Sequence, residues 1–170
     1  GHQPICDTLA IHAAGLVFEY LFRAYENPQD EEAREKMCEA SVIAGLAFTL
    51  PKTTSSHACS FPLTNIYRIP HGEACGLTLD HFIRINAHGE GGERVEYLAH
   101  KLGFTDADAL ADAVLELKRK MGLRCDLHDL NLSDEQIAEL VHISRHPNLY
   151  NNPVEITDEM LEEMYRTLAK

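Results

Sequence analysis

The sequence has no run of 18 or more apolar residues, the length that a membrane-crossing helix needs, so it predicts no membrane span. Positive charge is also scarce: fifteen lysines and arginines stand against twenty-seven acidic residues, for a formal net charge of −12. The basic residues are scattered, so no stripe exists to neutralise phosphates, which excludes nucleic acid and anionic membrane surfaces as main partners. The five cysteines, at positions 6, 38, 59, 75 and 125, are odd in number and irregular in spacing. That is no disulfide framework, and it reads as reduced thiols in a cytoplasmic protein. No GxGxxG or P-loop pattern occurs; Gly89-Glu90-Gly91-Gly92 is a turn, not a phosphate cradle. No serine or cysteine nucleophile stands in a recognisable setting. Gly1-His2-Gln3-Pro4 lacks the charged and apolar regions of a signal peptide. Gly1-His2 is read as the remnant of a cleaved purification tag, with residue 3 marking the cut in a longer protein.

What is present is helix. The 170 residues, 45% hydrophobic and 25% charged, suit one globular domain with a substantial core. Residues 6–25 carry Leu9, Ala13, Leu16, Val17, Tyr20 and Leu21 at helical spacing, and an apolar opposite side predicts burial on more than one face. Asn27-Pro28 stops that helix. A second is predicted over residues 30–50, where Ala40, Ala44, Gly45 and Ala47 allow close backbone approach. Pro51 ends it, residues 52–56 form a polar loop, and the stretch containing Pro62 and Pro70 reads as a break before a helix from His71. Shorter helices follow: residues 92–102, stopped by Gly103; one opened by a capping-box pattern at Thr105-Asp106-Ala107-Asp108, with Leu110, Val114, Leu117 and Met121 as its stripe; one capped by Ser133; and one capped by Thr157, with Leu161, Met164 and Leu168 inward. No strand and no repeat is found. The predicted fold is an all-α bundle.

His57 and His71 flank the break, fourteen residues apart, with Cys59 and Cys75 beside them. As ligands, the two imidazoles would reach one divalent cation from separate segments, with Pro70 fixing the chain direction and Gly72 leaving space. Otherwise His57 is a loop residue and His71 a helix-start residue, unrelated to each other. The pairs His57-x-Cys59 and His71-x3-Cys75 formally supply a two-Cys, two-His zinc set, but neither forms a tight knuckle, and buried core cysteines are the simpler reading. His142 and His146, spaced i,i+4, read as helix-end residues favoured by the helix dipole rather than ligands. His12 reads as a hydrogen-bonded core histidine.

Taken together, Ala40-Ser41-Val42-Ile43-Ala44-Gly45-Leu46-Ala47-Phe48, then His57, then Pro70-His71-Gly72 resemble the helical C-terminal domain of the iron-containing (group III) alcohol dehydrogenases. The resemblance extends back through residues 6–21 and forward to Asn151-Asn152-Pro153 and the last helix, covering nearly the whole chain. It implies an N-terminal domain that binds NAD or NADP, a metal (iron(II) or zinc) held by one Asp and three His, and hydride transfer between a small alcohol or aldehyde and the nicotinamide. His57 and His71 resemble the third and fourth ligands. The Asp-x3-His pair that supplies the first two is missing, so residues 1–170 are expected to be one helical domain. That domain would be a fragment lacking the nucleotide domain and the start of the helical one. It would bind no nicotinamide, would hold metal weakly through two imidazoles, and would do no hydride chemistry alone. Phe61 stands where many members carry a proton-relay histidine, which leaves no certain catalytic residue. The resemblance further implies a cytoplasmic homo-oligomer. Alternatives are a related polyol or glycerol-dehydrogenase-like enzyme, or a stand-alone helical metal-binding module without catalysis. A cut half should expose an apolar face bordered by His57 and His71, and should self-associate.

Overall fold

The computed structural model describes residues 3–170; Gly1 and His2, the expected tag remnant, lie outside the described residues. Eight α-helices and no strand are found among the described residues: α1 (Pro4–Glu26), α2 (Glu31–Ala47), α3 (Ser55–Tyr67), α4 (His71–Ala87), α5 (Glu93–Lys101), α6 (Ala107–Lys120), α7 (Asp134–Ile143) and α8 (Asp158–Leu168). Short 3-10 turns at His128–Leu130 and Pro147–Asn151 join the last helices.

The chain ends of these helices follow local chemistry. Asp30 caps α2 by accepting from the Ala33 amide at 3.0 Å, and Arg23 at the end of α1 closes onto Asp30 and Glu32. Ser133 and Gln136 form the reciprocal capping box of α7, and Thr157 caps α8. The cap of α6 differs from the sequence expectation. Asp106, not Thr105, accepts the Ala109 amide, and its N3 residue is an alanine, which cannot reciprocate. Glu96 of α5 takes the Ala107 amide instead, at 3.0 Å. Gly91, Gly103 and Gly122 adopt positive φ, Gly103 at the stop the sequence marked and Gly91 within the marked turn.

α3, α4, α7 and α8 enclose the main core, with Leu63, Leu77, Leu127, Leu140, Leu161 and Tyr165 fully buried within it. α1 and α2 form an antiparallel hairpin with a second, smaller core of Leu16, Tyr20, Ala33 and Ala40. Of the small residues noted on α2, Ala40 and Ala47 are buried, whereas Ala44 is exposed and Gly45 is half-buried with nothing near its absent Cβ. By length and composition alone α1 is long and apolar enough to cross a membrane, with a mean hydropathy of 1.4 over 18 residues. It lies along α2 here, and Ala10, Val17 and Leu21 line a groove of 680 Å³ closed by Phe48, Leu79 and Leu117. α6 packs on α4 through a buried ion pair: Lys118 Nζ donates to Asp80 Oδ1 at 2.5 Å and to the Leu77 carbonyl at 3.1 Å.

Candidate metal centre

The break that the sequence suggested between residues 55 and 70 is a helical hairpin. Pro62 lies inside α3 and is fully buried, so core packing overrides the hydrogen bond that proline removes from a helix interior. The chain then reverses at Arg68, which takes a left-handed conformation (φ 60°), and Pro70 caps α4. His57 is therefore on the first turn of α3 rather than on a loop, and His71 is the first residue of α4. The hairpin folds their rings together, with centroids 5.3 Å apart and planes at 70°.

Ser60, one turn after His57, orients the second ring. Its hydroxyl lies 2.7 Å from the His57 carbonyl, which can only accept, so the serine proton is committed there. The serine oxygen then accepts from His71 Nδ1 at 3.2 Å, which puts the imidazole proton on Nδ1 and leaves the Nε2 lone pair free. That Nε2 faces Cys75 Sγ at 3.8 Å, since positions 71 and 75 share one face of α4. Donor atoms of His57, His71 and Cys75 all lie within 4.8 Å of one another. Burial holds the His57 imidazole below its ordinary pKa, and the neighbouring His71 acts in the same direction, so the ring stays neutral and presents a lone pair. Two neutral imidazole nitrogens, with a sulfur that would bind as its thiolate, fit a divalent transition metal.

Other candidates separate from this cluster. Cys59 is fully buried and turned toward Ser144 and Tyr165, whose hydroxyls hydrogen-bond at 2.7 Å; burial pushes its thiol up to about 11. The two-Cys, two-His set is thus not assembled. His12 is exposed, not in the core, and pairs with Glu39 at 3.3 Å. His142 and His146 do not share a helix face, because α7 ends at Ile143 and His146 caps the following 3-10 turn, its Nδ1 accepting from the Asn148 amide.

The packing of His146 escaped the sequence reading. Its ring lies 4.7 Å from that of Phe61, which in turn stacks nearly parallel on His71 at 6.1 Å. Eighty-five residues separate Phe61 from His146, and no local pattern links them.

The model of the family described as Fe-containing alcohol dehydrogenase family, C-terminal, matches residues 1–169. Alcohol dehydrogenase 4 of Schizosaccharomyces pombe is 30% identical over 169 residues, covering 97% of this chain and 40% of the relative. The NADPH-dependent butanol dehydrogenase of Clostridium saccharobutylicum is 29% identical over 148 residues, covering 84% of this chain and 37% of its own length. Among solved structures, a sulfoacetaldehyde reductase from Bifidobacterium kashiwanohense in complex with NAD+ matches with a TM-score of 0.97 at 70% identity, covering 100% of this chain and 45% of that one. A 1,3-propanediol oxidoreductase matches with a TM-score of 0.88 at 25% identity, covering 98% and 46%. The chain thus spans less than half the length of these relatives. The family match over nearly the whole sequence and the shared all-helical architecture lead to one conclusion: this chain belongs to the iron-containing alcohol dehydrogenase family and corresponds to its C-terminal domain.

Proposed function

We propose that this chain is the metal-holding part of an NAD(P)-dependent reductase that converts a short aldehyde to its alcohol, with a sulfonated aldehyde as the favoured substrate class. The observation that carries the reading is the meeting of His57 and His71 at 5.3 Å, in a chain 70% identical to a sulfoacetaldehyde reductase over its whole length. The rest of such a protein would supply the nucleotide domain, the remaining metal ligands and the nicotinamide, and it would act in the cytoplasm as a homo-oligomer. His57 and His71 would hold the cation, with iron the metal of the family and zinc the alternative donor match. A divalent cation held there would supply Lewis-acid polarisation of the substrate carbonyl.

The chain's own residues do the rest of the local work. Ser60 keeps His71 in the tautomer that donates from Nε2. Phe61 forms an aromatic wall beside His71 and carries no exchangeable proton. Reduction of an aldehyde takes one hydride and one proton, so the proton comes from elsewhere. His146, packed on that wall, carries an imidazole able to exchange one.

The test is an assay of the longer protein, reconstituted with iron(II), for NADH and NADPH oxidation with sulfoacetaldehyde, butanal and 3-hydroxypropanal. The reading expects sulfoacetaldehyde to give the highest kcat/KM. It also expects His71→Ala to lower that value by about three orders of magnitude, the loss of several kcal/mol of charge stabilisation. Absence of turnover with every aldehyde, or full activity in His71→Ala, sinks it.

A further inference from the structure

We infer that Cys75 is a third metal donor, so that this chain alone builds a two-nitrogen, one-sulfur site with its remaining position open. The inference shares with the proposed function the histidine pair as a cation site, but not the catalytic reading. Three observations carry it. Cys75 stands one helical turn after His71 on the same face of α4, and its Sγ lies 3.8 Å from the Nε2 that Ser60 leaves unprotonated. Tetrahedral zinc, with bonds of about 2.3 Å to sulfur and 2.0–2.1 Å to nitrogen, sets those two atoms about 3.5 Å apart. A shift of a few tenths of an ångström by one side chain brings that pair to this spacing. The donor of His57 completes a set lying within 4.8 Å.

The other cysteines do not compete. Cys59 is fully buried against Ser144 and Tyr165, Cys6 is buried on α1, Cys125 donates to the Leu123 carbonyl, and Cys38 is exposed on α2. Binding is an exchange in which the Cys75 S–H bond breaks, a sulfur–metal bond forms, and one proton is released to solvent. A thiolate with two imidazoles is a borderline-soft set, so the site takes zinc, and cobalt as its spectroscopic stand-in, ahead of iron(II). Two imidazoles alone would hold metal weakly; the sulfur changes that expectation.

The experiment is cobalt(II) titration of the 170-residue chain, read by absorption. A near-ultraviolet thiolate-to-cobalt band is expected. It should vanish in Cys75→Ser and persist in Cys38→Ser and Cys125→Ser. Zinc affinity, by competition with a chelating dye, should fall in Cys75→Ser on the order of 100-fold, at the upper end of what losing even an outer-shell partner costs. On the wild-type chain, zinc should slow alkylation of Cys75 about tenfold, because a ligated thiolate is no longer a free nucleophile, and should leave Cys38 unchanged. Cobalt bound without the band, a band that survives Cys75→Ser, or unprotected Cys75 overturns the sulfur donor alone. Failure to bind cobalt at all overturns the histidine pair as well.

Discussion

Ser60 is a small residue with two obligations, and they set the chemistry of its neighbour. By giving its proton to the His57 carbonyl it can only accept from His71, so one hydroxyl selects an imidazole tautomer. Ser60→Ala frees that ring to take either tautomer and should weaken zinc binding by about 10–100-fold, the usual cost of losing an outer partner. Isothermal titration calorimetry checks the affinity, and an unchanged far-ultraviolet circular dichroism spectrum shows that the fold is retained. The buried group of Cys59, Ser144 and Tyr165 acts on stability instead. Tyr165→Phe leaves the Ser144 hydroxyl without its partner and should cost about 1–3 kcal/mol in urea unfolding. Burial raises the pKa of both Cys59, to about 11, and Tyr165. Each group therefore holds its proton more tightly folded than unfolded. The contribution of Cys59 is fully present below its unfolded value of 9.0 and is lost as pH rises through about 11. Stability should fall across that window by up to about 1.4 kcal/mol per pH unit for one group, seen as a dropping urea midpoint.

At the scale of helices, the sequence announced most ends and misplaced one middle. Ser133, Thr157 and Gly103 act where their local chemistry says they should, because caps and left-handed stops depend on a few adjacent residues. Pro62 misled for the opposite reason. A proline is a breaker by local rules, and only its complete burial against the main core keeps α3 continuous. The histidine pair was legible because both partners lie in one hairpin. His146 against Phe61 and Lys118 against Asp80 were not, since each pairing is fixed by how distant helices pack. The latter pair makes a sharp prediction about α4 and α6. Asp80→Ala strands a buried ammonium and should cost about 3–5 kcal/mol, whereas Asp80→Leu with Lys118→Met should come close to wild type. Denaturant midpoints of the three chains decide it.

For the molecule as a whole, the dominant feature is apolar surface left without a partner. Val42, Leu46, Phe48 and Leu50 are each more than half exposed around the end of α2, next to the groove along α1. Gly76, which follows Cys75, lines that groove, so the exposed apolar face and the histidine cluster occupy adjoining faces of α4. A continuous apolar surface of this kind drives association. The chain should dimerise or form larger species in sedimentation velocity, in a concentration-dependent way. Leu46→Glu with Phe48→Glu should return it toward a monomer while changing stability by about 0.5 kcal/mol or less per site, as surface changes usually do. A monomeric wild type at high concentration would contradict this.

The Lys118–Asp80 pair also has a bearing on descent. A lineage that loses either partner first passes through a form with an unpaired buried charge, so the two positions cannot drift one at a time. They form one heritable unit, 38 residues apart in the gene and adjacent in space. The same unit ties α6 to α4, the helix whose first residue is His71. A loss at either position is thus felt in the helix that begins with a member of the histidine pair.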